Sequence, residues 1–155
     1  MNGKILKYLI IITATIFSST NIFAQDGIKE TWVKVEKAVP LNIFIDTFGL
    51  DSYKGDDFYV WAMQKYDEPF EMEGIDDDIY SAKTFYLFNK KLKMYSIVQI
   101  IFYDEDSNVL ATYSYDHDTN VENYKYNYPV MPMSDIGYIF EKALEFAGGK
   151  KETKK

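Results

Sequence analysis

The sequence predicts an α+β domain, in which an antiparallel β-sheet of about six strands, arranged as a meander, is covered on one face by a C-terminal α-helix. Three observations support this fold class. Aromatic and β-branched runs of strand length alternate with short polar breaks. The chain contains 14 Tyr and 11 Phe, which favour a pleated, half-buried surface. One amphipathic helical pattern follows near the end of the chain.

The N-terminus has the pattern of a signal peptide covering residues 1–24. Lys4 and Lys7 give it a positive start, residues 9–17 are apolar, and the following small and polar residues end at a cleavage site after Ala24. The apolar run is shorter than the roughly 20 residues that a membrane span needs, so we expect no stable span after cleavage. Since no Cys follows the leader, a lipoprotein anchor is excluded. We expect export to the periplasm or to the cell surface.

The remaining chain is expected to form a single domain at residues 25–149, followed by a disordered basic tail at 150–155. The apolar share of the full sequence, 47%, is ample for a packed core. Removing the two leader lysines changes the net charge from −7 to −9, with 15 Lys against 24 acids. A chain this acidic repels phosphate backbones and anionic lipid surfaces, so nucleic acid is excluded as an expected partner.

The first half of the domain predicts three strands. Residues 31–39 alternate in polarity, Pro40 interrupts them, and 41–46 resumes with alternating apolar residues, which together indicate an edge hairpin. Residues 58–66 predict the third strand. Residues 67–78 are acidic and broken by Pro and Gly, so we expect an exposed loop there.

The second half predicts the core of the meander, with strands at 79–88, 93–103 and 109–115. The middle run is the longest and most apolar, so we place it at the centre of the sheet with both flanks paired. A polar connection at 116–123 leads to an extended aromatic run at 124–129.

The C-terminal helix is predicted to begin after Ser134, a good N-cap, with Asp135 favourably placed at the positive end of the helix dipole. Gly148 and Gly149 are expected to stop it. One apolar stripe at helical spacing should pack on the sheet. It consists of Ile136, Ile139, Phe140, Ala143, Leu144 and Ala147.

Several short motifs in these elements are similar to those of a known family. They are Trp32, Phe44-Ile45-Asp46, Val60-Trp61, Ser81-Ala82-Lys83, Tyr103 with the 104–108 turn and Val109, and Pro132-Met133-Ser134. In this order they resemble the surface-adhesin protein E-like family of small exported bacterial proteins, over nearly the whole mature chain. The resemblance implies the fold given above and a broad binding role, with no catalytic residues to carry over. The ligands of named relatives need not transfer.

The chain departs from this family in its cysteines. Family members often have one Cys in the region of the fourth strand and another at the end of the helix, and these tie the helix to the sheet. Here Phe88 and Phe146 stand near those positions, and the chain has no Cys. Apolar packing would have to replace the bridge.

Two acidic segments are candidates for metal binding, but their residue patterns do not favour it. Asp104–Asn108 has alternating carboxylates like the start of a calcium loop, but Val109 replaces the required Gly and Tyr115 the bidentate Glu. We therefore expect a solvated hairpin turn. Residues 76–78, three Asp, are better explained as a solvated loop than as a site for a cation or a basic partner. No cofactor is expected.

Catalysis is not expected either. His117 is the only His, and Asp116 and Asp118 flank it in a polar connection. No nucleophile motif accompanies it, and no orienting partner can be argued. The sequence therefore predicts a non-enzymatic protein.

The aromatic residues are the most suggestive candidates for binding. Alternating tyrosines place their rings on one face of a strand, where they can bind a partner at low entropic cost, although support of the sheet by cross-strand pairs is the favoured alternative. For Trp32 and Trp61, packing between sheet and helix is favoured over stacking on a sugar or peptide. The candidate partner-binding tyrosines are Tyr113, Tyr115, Tyr124, Tyr126 and Tyr128.

The leading hypothesis is thus an exported, non-enzymatic and adhesin-like module that binds a protein partner, including a second copy of itself, through an aromatic sheet face or an edge strand. The alternative is a periplasmic carrier of a small apolar ligand in a cleft between sheet and helix. A carrier should have a closed apolar cavity there, whereas a binding module should have a filled core and several of the five tyrosines in solvent.

Overall fold

A computed structural model describes residues 29–115 and 125–148 of the chain. The signal peptide predicted at 1–24, the tail predicted at 150–155, His117 and Tyr124 lie outside these described residues.

Seven strands form one antiparallel sheet within the described residues. Their order, β1-β2-β3-β4-β5-β6, is the predicted meander, and β7 pairs with β5 beyond the end of β6. One α-helix, α1, follows, so the α+β prediction is confirmed for a fold that is mostly β. The elements are β1 Trp32–Lys34, β2 Asn42–Asp46, a 3₁₀ turn at Leu50–Ser52, β3 Asp57–Phe70, β4 Ile79–Asn89, β5 Met94–Tyr103, β6 Val109–Ser114, β7 Tyr128–Pro129 and α1 Asp135–Leu144.

Strand β3 is longer than the sequence predicts. The loop expected from Asp67 begins only after Phe70, because Phe70 pairs with Ile79 across β4 after a register shift. The Phe70 ring packs edge-on against Tyr66, with 4.9 Å between centroids. Pro69 is tolerated because it lies in this irregular stretch of the ladder.

Strand β5 is paired on both flanks, as predicted, but its expected place at the centre of the sheet is wrong. The middle of the sheet lies between β3 and β4, because the β1–β2 hairpin extends the sheet beyond β3. The two central strands are also the two longest in the sheet.

The predicted N-cap of α1 is confirmed. The Ser134 hydroxyl accepts a hydrogen bond from the Gly137 N–H at 3.1 Å and donates one to the Met131 carbonyl at 2.7 Å. The helix ends at Leu144, four residues before the predicted glycine stop at Gly148. Beyond Leu144 the chain tightens into turns that bond back to the last carbonyls of the helix.

The main core lies between α1 and one face of the sheet, which we call the helix-side face. Phe58 and Phe88 stack with centroids 5.4 Å apart, and Phe140 of α1 packs on them at 6.1 and 5.3 Å. Phe88 thus meets Phe140 rather than Phe146, whose side chain is exposed. Apolar packing joins helix to sheet, as the absence of Cys required.

A second core fills the other end of the sheet. Ile79 and Phe102 are buried there, and Met72 and Ile75 from the loop between β3 and β4 pack on them. The helix therefore covers only one end of the sheet. No helix among the described residues is long and apolar enough to cross a membrane.

Candidate binding surface

Side chains in a strand alternate between the two faces of the sheet, so the buried residues of β3 show which of its side chains face the helix and which face away. Phe58 and Val60 are buried in the core under α1, which directs Tyr59 and Trp61 to the opposite side. Cross-strand partners share a face, so the pairing register extends this assignment to the neighbouring strands. We call the result the open face. Its half-buried residues include Trp32, Phe44, Tyr59, Trp61, Met63, Lys83 and Phe85.

A row of stacked rings runs across the open face. Tyr59 stacks on Phe85 with centroids 5.4 Å apart and planes at 25°, and Phe85 stacks on Trp61 at 4.6 Å and 22°. Nearly parallel rings this close must overlap, so each covers part of its neighbour's face. The row therefore offers less open ring face than three separate rings would.

Lys83 fixes the two tryptophans of the open face. Its Nζ lies 4.8 Å from the Trp61 ring centroid and 5.4 Å from that of Trp32, close enough for cation–π attraction to both. The same ammonium donates to the Glu30 carboxylate, which also accepts a hydrogen bond from Trp32 Nε1 at 3.0 Å. The hydrogen bond from Lys83 holds the pKa of Glu30 below its usual value. Trp32 and Trp61 are thus held in place without a disulfide.

The prediction that both tryptophans pack between sheet and helix is wrong. Trp61 alternates with Val60 and Ala62, whose side chains face the helix, and so it lies on the open face. Both alternating sets of β3 are apolar, and periodicity alone does not say which set the helix covers. The pairing of β1 with β2 places Trp32 on the same side, because its partner Asp46 alternates with Ile45 of the core.

Two further lysines lie beside Phe44 on the open face. The Nζ atoms of Lys34 and Lys65 are each 5.9 Å from its ring centroid. Lys34 donates to the Asn42 side-chain oxygen at 3.1 Å, and the amide of Asn42 bonds to Asp67 at 2.8 Å. Neither lysine forms an ion pair with a described residue. Two ammonium groups and one carboxylate, that of Asp67, therefore meet at this corner of an acidic chain, so the cations are in excess there.

The candidate tyrosines do not form one strip. Tyr113, Tyr115 and Tyr128 are exposed, at 41%, 47% and 49%. Tyr113 and Tyr128 pair across strands with residues of the helix-side face, so they lie away from the open face, along the β6 and β7 edge. Tyr124 lies outside the described residues. Whether these tyrosines bind a partner stays a prediction.

Tyr126 has a different environment, because its hydroxyl bonds to Asp57 and Asn89. Lys125 and the Asn89 amide also donate to the Asp57 carboxylate. Burial alone would raise the pKa of Asp57, but the hydrogen bonds from Lys125, Tyr126 and Asn89 outweigh it and lower the pKa. The Ser96 hydroxyl donates to the Lys125 carbonyl at 2.9 Å. This polar cluster fastens the segment before β7 to the sheet, and its groups bond to one another.

The two acidic segments are solvent-exposed connections. Asp104 accepts hydrogen bonds from the Asn108 N–H at 2.7 Å and from its side-chain amide at 2.8 Å, so the predicted hairpin turn is confirmed. Residues 76–78 are exposed. In the described ranges, no three His, Cys, Asp or Glu side chains group as metal ligands would, and no buried polar side-chain atom lacks a partner.

Between α1 and the sheet lies a cavity of about 50 Å³, lined by Ile43, Ala62, Tyr86 and Ile139 among others. Pockets that hold drug-sized ligands measure roughly 300–1,000 Å³. This cavity could hold a few water molecules and is too small for an apolar ligand of that size.

Comparison of the chain with known protein families, with curated proteins and with solved structures finds no match. The resemblance to the surface-adhesin protein E-like family therefore stays a prediction based on the short motifs quoted above.

Proposed function

We propose that this chain is an exported, non-enzymatic binding module that holds a protein partner on its open face. The observation that carries the proposal is the row of half-exposed stacked rings across the face that α1 leaves free. Aromatic side chains are enriched at protein interfaces, and contiguous exposed apolar patches mark interaction sites. The resemblance to a family of exported adhesin-like proteins points in the same direction.

The open face is suited to binding because its side chains are already ordered. Trp32 and Trp61 are held by Lys83, and Trp61 is stacked on Phe85. Anchors that are rigid before binding lose little conformational entropy on association, which favours affinity. A sugar stacks best on an open ring face, and these rings cover part of each other's faces, so a protein segment is the better occupant.

The alternative function, a carrier of a small apolar ligand, has less support. Phe58, Phe88 and Phe140 fill the space beneath the helix, and the cavity beside them measures only about 50 Å³. The polar cluster around Asp57 is occupied by its own hydrogen bonds, which gives no support to an active site there.

Site-specific photocrosslinking tests the proposal. Benzoylphenylalanine replaces Phe44 on the open face in one variant and Phe146 on the helix side in a matched control, in cells that make the protein. Because both positions carry a partly accessible phenylalanine, the two substitutions are chemically alike. After irradiation, we expect a discrete protein adduct from position 44 and none from position 146.

The adduct also identifies the kind of partner. An adduct of twice the chain mass would indicate a homodimer through the open face. If position 44 gives no adduct, or if both positions give the same adducts, the open face is not a specific binding surface and the proposal is wrong.

A further inference from the structure

We propose that the segment bound on the open face is acidic as well as apolar, and that its carboxylates meet Lys34 and Lys65 on either side of Phe44. This inference rests on the proposed function and names the chemistry of the partner. It begins from an unusual local charge on a chain of net charge −7.

The pairing register explains how the two lysines come together. Lys34 of β1 pairs with Phe44 of β2, while Lys65 of β3 pairs with Asn42, two residues away on the same face of β2. Both ammonium groups therefore lie on the open face, at equal distances of 5.9 Å from one ring. Both lysines are exposed. They form a pair of cations with an apolar platform between them.

These two lysines differ from Lys83, the third cation of the open face. Lys83 is already paired with Glu30, and only 14% of its side chain is exposed. Lys34 has only a neutral amide oxygen as a hydrogen-bond acceptor, and Lys65 has no ion pair among the described residues. The charges of Lys34 and Lys65 are therefore available to a partner, whereas the charge of Lys83 is already paired with Glu30.

Charge complementarity indicates what kind of partner the open face binds. An acidic segment is repelled by most of this chain and attracted at the Lys34 and Lys65 corner, so the charges direct it to the open face. A second copy of the chain, packed open face to open face, would bring two like pairs of lysines onto one interface, which costs energy. We therefore assign the open face to a different protein with Asp or Glu beside aromatic or aliphatic residues.

Three synthetic peptides of 12 residues test this assignment. They share the same Phe and Leu residues and carry Glu, Gln or Lys at the remaining alternate positions. Trp32 and Trp61, the chain's two tryptophans, both lie on the open face, so their fluorescence reports binding there. We expect the Glu peptide to bind about tenfold more tightly than the Gln peptide, because it can form two exposed ion pairs that the Gln peptide cannot form. The Lys peptide should bind most weakly, and added salt should reduce the differences.

Charge-reversed variants test whether Lys34 and Lys65 cause the preference for the Glu peptide. Lys34→Glu with Lys65→Glu should invert the order, so that the Lys peptide binds best. The matched control is Lys91→Glu with Lys93→Glu, two exposed lysines in the turn at the opposite end of β4. This pair changes the net charge by the same amount and should leave the order unchanged. Circular dichroism checks that each variant keeps its fold.

The results separate this inference from the proposed function. If the Glu and Gln peptides bind equally, or if reversing Lys34 and Lys65 leaves the order unchanged, the acidic partner is wrong while the binding face stands. If no peptide alters tryptophan fluorescence at concentrations on the order of 1 mM, the open face does not bind such segments, and the proposed function itself is contradicted.

Discussion

At the scale of single residues, Gly137 shows most clearly how packing overrides local propensity. It lies in the first turn of α1, where Ala would be the better helix former by roughly 0.8–1 kcal/mol. A Cβ at this position would lie 2.4 Å from the Met131 carbonyl oxygen. That oxygen accepts the hydrogen bond of the capping Ser134, so it cannot move without disturbing the N-cap.

We therefore predict that Gly137→Ala destabilises the protein by about 1–3 kcal/mol, the usual range for overpacking, despite the gain in helix propensity. Urea unfolding measures the change. Gly55→Ala is the matched control, because it has open space around its Cβ position and no positive φ. It should be neutral or slightly stabilising. A Gly137→Ala variant as stable as the wild type would show that the loop around Met131 adapts freely.

At the same scale, Asp57 should make stability depend on pH. Burial alone would raise its pKa, but its hydrogen bonds outweigh burial and hold the pKa below the ordinary value of an aspartate, so the folded state stabilises the ionised form. That contribution is fully present above about pH 4 and is lost as the pH falls through the lowered pKa. Asp57→Asn should reduce the free energy of unfolding at pH 7 by ~1 kcal/mol, a modest value because a third of the side chain is exposed.

The difference between wild type and Asp57→Asn should then shrink between pH 4 and pH 2, as measured by urea unfolding at several pH values. The neighbouring Asp56→Asn variant is the control, because it removes an equal charge at an exposed position. If the Asp57→Asn difference is the same at every pH, the ionised carboxylate does not carry the stabilisation.

At the scale of elements, the sequence was sufficient where local signals agreed. Strands β4, β5 and β6 were predicted within a residue at each end, because aromatic runs are bounded there by polar turns. The start of α1 followed from Ser134. The end of β3 was missed because Pro69 and the surrounding acids indicate a loop, while the tertiary contact of Phe70 with the second core extends the strand.

The candidate surface was predictable only in part for a similar reason. The sequence indicates an aromatic sheet, but the face that α1 covers depends on long-range packing. The strand pairing that joins Trp32, Trp61 and Lys83 spans about 50 residues, and no local pattern reports it. The signal for a free face was that both alternating sets of β3 are apolar while the sequence predicts a single helix, which can cover only one of them.

At the scale of the whole molecule, one helix and one loop cover the helix-side face, whereas among the described residues the stacked rings of the open face stay half-exposed. The interior is filled by rings rather than by a ligand-sized cavity. The expected mature chain carries a net charge of −9, which opposes self-association through the acidic remainder of the surface. These features together favour a monomer whose open face binds a different protein.

We therefore predict that the native mass spectrum of residues 25–155, purified from the cells that make the protein, shows a bare monomer. The core beneath the helix has no ligand-sized cavity, and the paired lysines oppose contact between two open faces. Spectra at low and moderate salt control for dimers that depend only on screening. An added mass of small-molecule size would favour the carrier function instead. A dimer that persists at both salt concentrations would assign the open face, or the β6 edge, to a second copy of the chain.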